Sequence, residues 1–252
     1  MFLRLLITCL LTGSALAGNI FDSWKAGDAE KLYYDLNTLK PSKTTNTLEI
    51  EFARAKEKDS GFIVSQILKI PAQTITITST EKYTDNDLNL ISSENLIRLP
   101  AAAKDRFGTD SLVIKAVREK DSVAVTSNSA TLVPPCKLPL NGGLITSTGS
   151  LLATRLIDFK PGATRTYRYV NLLILTGQIY SAIEITDSVM GEVEITVPAG
   201  TFDCYKVKNT SERGTGFSYY DKGGNHIPVR TELIDQMSGE PVMEVILKKI
   251  ER

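Results

Sequence analysis

The sequence predicts a mainly β protein, built as an antiparallel curved sheet, half-barrel or sandwich with a short N-terminal helix. Apolar and polar residues alternate in several segments, which is typical of strands with one buried face. The clearest alternations lie at residues 48–52, 74–78, 179–185 and 193–197. Turn-forming residues separate such segments roughly every 8–12 residues, a rhythm typical of meanders, sandwiches and barrels.

The first seventeen residues have the pattern of a secretory signal peptide. Arg4 gives a basic start, and residues 5–12 form an apolar run that is too short to cross a bilayer. Small residues, Ala15 and Ala17, stand at the positions that a signal peptidase reads. We therefore expect export to the periplasm or secretion after removal of residues 1–17. No later apolar run approaches the ~20 residues of a membrane helix, so no transmembrane segment is predicted in the mature chain.

The N-terminal helix is predicted over residues 24–39, before Pro41. Large apolar residues recur there at near-helical spacing: Trp24, Leu32, Leu36 and Leu39. Such a helix would cover one face of the sheet.

The rest of the chain divides at its strongest break. Residues 134–150 are rich in Pro, Gly and Ser and form either a long loop or a boundary. Residues 18–133 before it hold the predicted helix and a first β-rich half. Residues 151–252 form a second β-rich half.

Composition excludes several classes of function. Lys and Arg total 29 and Asp and Glu total 29, so no global field attracts nucleic acid. The sequence contains no dinucleotide or phosphate loop, and no cofactor is predicted. His226 is the only histidine and stands in a turn sequence, so neither a catalytic residue nor a metal site is predicted.

The chain has three cysteines, and Cys9 leaves with the predicted signal peptide. Cys136 and Cys204 remain in a compartment where disulfides form. Two alternatives stay open: a disulfide between them, which would stabilise the fold by roughly 4 kcal/mol, or two separate buried thiols.

Residues 192–207 predict a strand, a tight turn and a second strand, with Pro198 ending the first strand and Gly200 free to adopt positive φ. The turn reads V-P-A-G-T-F. Four further motifs follow the same order as in a known family: F-K-P-G at 159–162, F-S-Y-Y-D at 217–221, I-P-V-R at 227–230 and a final strand at 242–250.

These motifs resemble bacterial periplasmic proteins with a domain of unknown function, the TapB-like proteins. The resemblance covers roughly residues 158–252, the C-terminal half only. It implies a half-barrel of the LolA/LolB type, a curved antiparallel sheet around an apolar hollow. It implies no catalytic residues.

Five residues are candidates for a ligand wall. Ile183 and Ile195 lie on the apolar faces of alternating strands. Tyr219, Tyr220 and Arg230 form an aromatic and ionic group. The alternative for this group is tyrosine packing beside an ordinary Arg–carboxylate pair.

Three functions remain open. The leading hypothesis is an exported, non-catalytic envelope protein that binds an apolar or lipid-like ligand on a curved sheet. The first alternative is a structural or accessory β-protein that binds an envelope protein partner through its sheet edge. The second is a divergent hydrolase that uses carboxylates of the sheet, such as Glu192 and Glu194, or a serine near His226.

Overall fold

The computed structural model describes residues 24–25, 27–40, 43–55, 61–84, 88–140, 143–172 and 182–251. The predicted signal peptide at 1–17 lies outside these residues, as does the first part of the alternation at 179–185.

The described residues form fifteen strands, two α-helices and one 3-10 turn at Pro71–Gln73. The helices are α1 (Ala103–Phe107) and α2 (Ser147–Thr154). The strands are β1 (Ala29–Thr38), β2 (Thr44–Arg54), β3 (Phe62–Ile70), β4 (Ile75–Tyr83), β5 (Leu90–Arg98), β6 (Ser111–Arg118), β7 (Ser122–Ser127), β8 (Cys136–Pro139), β9 (Ile145–Thr146), β10 (Thr164–Val170), β11 (Ile183–Val197), β12 (Gly200–Ser211), β13 (Gly214–Asp221), β14 (Pro228–Ile234) and β15 (Pro241–Glu251).

All fifteen strands belong to one curved sheet. Strands β1 to β8 follow one another antiparallel on one side, and β15 back to β10 do the same on the other. The two series meet where β1 pairs with β15. Among the described strands β8 and β9 are the two edges, and β9 pairs parallel to β10. The predicted mainly β, curved antiparallel architecture is confirmed.

Neighbouring strands of the sheet pair as hairpins. Strands β2 and β3 pair with Leu48 opposite Leu68. Strands β11 and β12 form the hairpin predicted at 192–207, with Val197 opposite Gly200 and a two-residue tip between them. Gly200 has φ 137°, so the hairpin uses the conformational freedom that glycine supplies at this position.

The predicted N-terminal helix is wrong. Residues 29–38 form β1, which is hydrogen-bonded to β2 on one side and β15 on the other. Leu32 and Tyr34 are buried and Leu36 shares their face, a period of two. The spacing of Leu32 and Leu36 fits either a helix or a strand. The segment forms a strand because it is hydrogen-bonded to both β2 and β15, and such tertiary pairing overrides weak local propensity.

Helix α2 packs against the sheet interior. Its residues Leu152 and Ala153 are fully buried. A Cβ at Gly149 would stand 2.2 Å from the Tyr83 hydroxyl on β4, so only glycine allows this close approach. The segment 134–150, predicted as a loop or boundary, contains β8, β9 and the first turn of α2. It therefore connects the two edges of the sheet.

No helix in the described part of the chain has both the length and the apolar character needed to cross a bilayer.

Candidate functional site: an apolar cavity inside the curved sheet

A cavity of about 650 Å³ lies against the inner face of the sheet. Strands from both halves of the chain and helix α2 contribute to it. Two walls differ in chemistry. We call them the aliphatic wall (β1–β4 with β15 and Leu151 of α2) and the polar wall (β12–β14).

The aliphatic wall is built by cross-strand register. Tyr34, Leu48, Leu68 and Ile77 stand directly opposite one another on β1, β2, β3 and β4. Side chains directly opposite in a sheet share one face, so these four form one apolar row. Further residues of the wall are Leu36, Ile50, Ile70, Leu151, Met243 and Val245.

Several side chains of this wall are only half-buried. Leu36, Leu68 and Val245 keep part of their surface exposed, while Leu32, on the same face as Leu36, is 0% exposed. Leaving apolar area in water costs about 25 cal/mol per Å². A contiguous exposed apolar surface on a folded protein usually marks a binding site.

The polar wall presents amide and hydroxyl groups, and the charged residue Arg213, between β12 and β13, also lines the cavity. Asn209, Ser211, Thr215 and Thr231 line the cavity on this side. Thr231 donates a hydrogen bond to Ser218 Oγ at 3.2 Å, and Ser218 donates to Asn209 Oδ1 at 2.8 Å. The Asn209 Nδ2 group then donates to Asp187 Oδ1 at 2.7 Å. A chain of hydrogen bonds thus leads from the cavity to a buried carboxylate.

Asp187 is the end of that chain and is 0% exposed. It also accepts hydrogen bonds from the hydroxyls of Thr154, at the end of α2, and Tyr167. Burial raises the pKa of Asp187, and the donors Thr154, Asn209 and Tyr167 oppose this rise.

The C-terminal end of α2 is also held by a buried ion pair. Arg155 Nη1 lies 2.5 Å from Glu30 Oε1 on β1, and the two side chains are 0% and 1% exposed. Arg155 Nε donates to the Asn225 carbonyl at 2.8 Å, and Asn225 Nδ2 donates to Glu30 Oε2 at 3.1 Å. These contacts tie α2 to the strand at the centre of the sheet.

The N-terminal end of α2 has its own buried contact, on β4. The Tyr83 hydroxyl donates to Glu81 at 2.7 Å and lies 2.7 Å from the Thr146 hydroxyl. Burial raises the pKa of Glu81 to about 7, against the opposing effect of hydrogen bonds from Thr146, Tyr83 and the Gly149 amide. Since both ends are anchored, α2 is a fixed cover of the interior, in the place that the sequence assigned to the N-terminal segment.

The predicted ligand-wall residues separate into two groups. Ile183 lines the cavity, and Arg230 borders it. Ile195 packs against the main core, and Tyr220 belongs to a separate cluster with Phe159 and others; neither lines the cavity.

Tyr219 and Arg230 take part in an ionic cluster with Glu232 and Glu244. Arg230 Nη2 lies 2.8 Å from Glu232 and 2.9 Å from Glu244, and the Tyr219 hydroxyl donates to Glu232 at 3.0 Å. Neighbouring residues on a strand alternate between faces. Thr231 bonds to Ser218, so the flanking Arg230 and Glu232 side chains lie on the opposite face of β14, while both residues still border the cavity. The contacts of Arg230 are thus those of an ordinary Arg–carboxylate pair, the alternative given above to a ligand wall.

Cys136 and Cys204 are both free thiols in the structure, where Cys204 is buried and Cys136 is half-buried. Cys136 lies on the edge strand β8 and Cys204 on β12. Burial raises the pKa of Cys204 to about 12, which keeps this thiol protonated and unreactive.

The residues of the hydrolase alternative have structural partners. Lys222 Nζ lies 2.6 Å from Glu192. His226 Nδ1 lies 3.0 Å from the Asp221 carbonyl oxygen, and its ring is 4.4 Å from that of Phe159. Burial lowers the pKa of His226. Within the described ranges, no group of three or more His, Cys, Asp or Glu side chains could hold a metal ion.

Sequence reasoning missed the polar wall and the anchors of α2. Asp187, Asn209, Ser218 and Thr231 come from four different strands, and no local pattern connects them. The polar residues Asn209 and Ser211 at alternating positions of one strand were the available signal for a polar inner face.

Comparison with known proteins shows a fold and no family. No family model matches the chain, and no curated protein matches it. A solved structure from Brucella abortus, a beta-barrel-like protein of domain of unknown function DUF1849, has a TM-score of 0.55 at 11% identity. The alignment covers 90% of this chain and 98% of that chain. The two proteins share a fold.

Two weaker likenesses carry no argument. One is to a protein from Bacteroides fragilis described as exported with a YmcC-like fold, at a TM-score of 0.38 and 13% identity, covering 90% of this chain and 97% of that one. The other is to a protein from Parabacteroides distasonis described as a lipoprotein, at a TM-score of 0.35 and 12% identity, covering 90% and 96%. The TapB-like resemblance stays a sequence-based prediction.

Proposed function

We propose that this chain is an exported, non-catalytic envelope protein that holds an apolar or lipid-like ligand in its cavity. The observation that carries the proposal is the aliphatic wall, whose half-buried Leu36, Leu68 and Val245 face an open volume. A ligand would remove this apolar surface from water. Export rests on the signal-peptide pattern of residues 1–17.

The size of the cavity fits such a ligand. Its volume of about 650 Å³ is typical of small-molecule sites, which range from roughly 300 to 1,000 Å³. Burying one methylene is worth about 0.8 kcal/mol, so a chain of about twelve carbons gains roughly 10 kcal/mol before the cost of association. One hydrocarbon chain is therefore enough to give useful affinity.

The accessory-protein alternative has less support. Its binding surface would be an open sheet edge, but edge strand β9 has 2 residues and β8 has 4. Arg168 donates hydrogen bonds to the carbonyl oxygens of Pro139 and Leu140, at the end of β8. Short and partly occupied edges are poor templates for an added strand.

Cavity-filling variants test the proposal. Leu68→Trp and Ile185→Trp each place an indole in the cavity, and Val117→Trp is the matched control because Val117 is 53% exposed and lies outside the lining. The probe is the neutral dye N-phenyl-1-naphthylamine, whose fluorescence rises in apolar sites. We expect the wild type and Val117→Trp to bind the dye while folded, and the two cavity variants to lose binding at least ten-fold. Absence of dye binding by folded wild-type protein would refute the proposal.

A further inference from the structure

The hydrogen-bond chain of the polar wall has a fixed direction. Asp187 accepts from Asn209, so the amide nitrogen of Asn209 points to the carboxylate and its oxygen points to Ser218. An amide oxygen can only accept, so Ser218 must donate its hydroxyl proton to it. Thr231 in turn donates to Ser218. The buried carboxylate therefore sets the orientation of every group up to the cavity.

This direction decides what Thr231 offers to a ligand. Its single hydroxyl proton is committed to Ser218, and Thr231 lines the cavity. The remaining lone pairs of its oxygen can only accept a hydrogen bond. A ligand group beside Thr231 must therefore supply a donor.

Register places this acceptor beside the aliphatic wall. Ser218, Thr231, Val245 and Leu36 stand opposite one another on β13, β14, β15 and β1. The polar wall and the aliphatic wall thus meet in one cross-strand row, between Thr231 and Val245. A molecule with its polar end at Thr231 has its apolar part over Val245 and Leu36.

We propose that the cavity selects a single-chain aliphatic ligand with a terminal hydroxyl group, which donates its proton to Thr231 Oγ1. This inference rests on the proposed function and names the ligand class. An ionised carboxylate has no proton to donate to Thr231. An ammonium would need an anionic partner, but Glu232 is paired with Arg230 and Asp187 already accepts three side-chain hydrogen bonds.

The test compares ligands that differ only at the polar end. 1-Dodecanol, dodecyl methyl ether and dodecanoic acid each compete for the cavity against N-phenyl-1-naphthylamine. One neutral hydrogen bond corresponds to a roughly five-fold difference in affinity. We expect wild-type protein to bind dodecanol about five-fold more tightly than the ether, and the acid more weakly than dodecanol at pH 8.

Two variants assign the preference to Thr231. Thr231→Val keeps the shape and removes the acceptor, so the ratio of alcohol to ether affinity falls to about one. Ser218→Ala frees the Thr231 proton for donation, so the ether gains affinity relative to the alcohol. Thr166→Val is the control, since Thr166 is an exposed residue of β10 outside the cavity lining, and its hydroxyl lies 2.9 Å from that of Thr186 on β11. Its ratio stays at the wild-type value.

The outcomes separate the two proposals. If alcohol and ether displace the dye equally well from wild-type protein, the hydroxyl inference is refuted and the proposed function stands. If the folded wild type binds neither the dye nor any of the three compounds, the proposed function itself fails. An unchanged five-fold preference in Thr231→Val would also overturn the assignment to Thr231.

Discussion

The two walls of the cavity belong to one sheet, yet they differ in how fully the side chains are paired within the protein. The polar wall pairs its groups internally, from Thr231 through Ser218 and Asn209 to Asp187. The aliphatic wall leaves Leu36 and Leu68 half-buried where they line the cavity. Of the two walls, the aliphatic one is the wall whose surface is left without an internal partner, and this is the reason that we propose an apolar ligand.

Breaking the buried Arg155–Glu30 ion pair is expected to have the largest effect on the free energy of unfolding. Arg155→Met leaves the Glu30 carboxylate buried without its cation, which costs about 3–5 kcal/mol of unfolding free energy. Urea denaturation measures this loss. Lys137→Met is the control. The side chains of Lys137 and Glu119 are 67% and 45% exposed, so their ion pair is worth at most about 1 kcal/mol. Adding Glu30→Gln to Arg155→Met should recover part of the loss, and a fully additive loss would contradict the account.

The contact at the other end of α2 predicts a pH dependence. The pKa of Glu81 is raised to about 7, so the folded protein binds this proton more tightly than the unfolded chain does. Stability therefore falls as pH rises from about 4.5 to about 7, by roughly 3 kcal/mol in total. Glu81→Gln should remove most of this fall and be more stable than wild type at pH 8, with little difference at pH 4.

Thermal or urea unfolding across that pH range provides the measurement. Glu94→Gln, on the neighbouring strand β5, is the matched control because the Glu94 side chain is 60% exposed. If Glu81→Gln keeps the wild-type pH profile, Glu81 does not titrate as described.

One strand provides the sharpest contrast between core and cavity wall. Leu32 and Leu36 share a face of β1, but Leu32 is 0% exposed and Leu36 is half-buried. Leu32→Ala should cost about 2–5 kcal/mol of unfolding free energy, as core truncations do. Leu36→Ala should cost about 1 kcal/mol and instead weaken dye binding. Equal losses of stability would mean that Leu36 faces a filled core.

The sequence predicted the parts of this molecule that depend on local pattern. The alternations at 48–52 and 193–197 mark strands, and Pro198 and Gly200 mark the tip of the hairpin between β11 and β12. It mispredicted β1, because the spacing of Leu32 and Leu36 fits a helix as well as a strand and only the pairing with β15 decides.

The site itself was less accessible from sequence. Ile183, predicted as a ligand-wall residue from its strand pattern, lies in the lining of the cavity, and its role in binding stays a prediction. The hydrogen-bonded partners Asn209 and Asp187 are 22 residues apart, and Arg155 and Glu30 belong to opposite halves of the chain. Such contacts form only when the sheet brings distant strands together, so no local periodicity records them.

Native mass spectrometry of the protein, purified without detergent from the cell envelope of its own host, tests the central claim most directly. We predict that a fraction of wild-type molecules retains one small apolar compound, that solvent extraction releases it, and that Leu68→Trp and Ile185→Trp lose it while Val117→Trp keeps it. Wild-type protein that is folded, free of any such compound and unable to take up N-phenyl-1-naphthylamine would contradict the account.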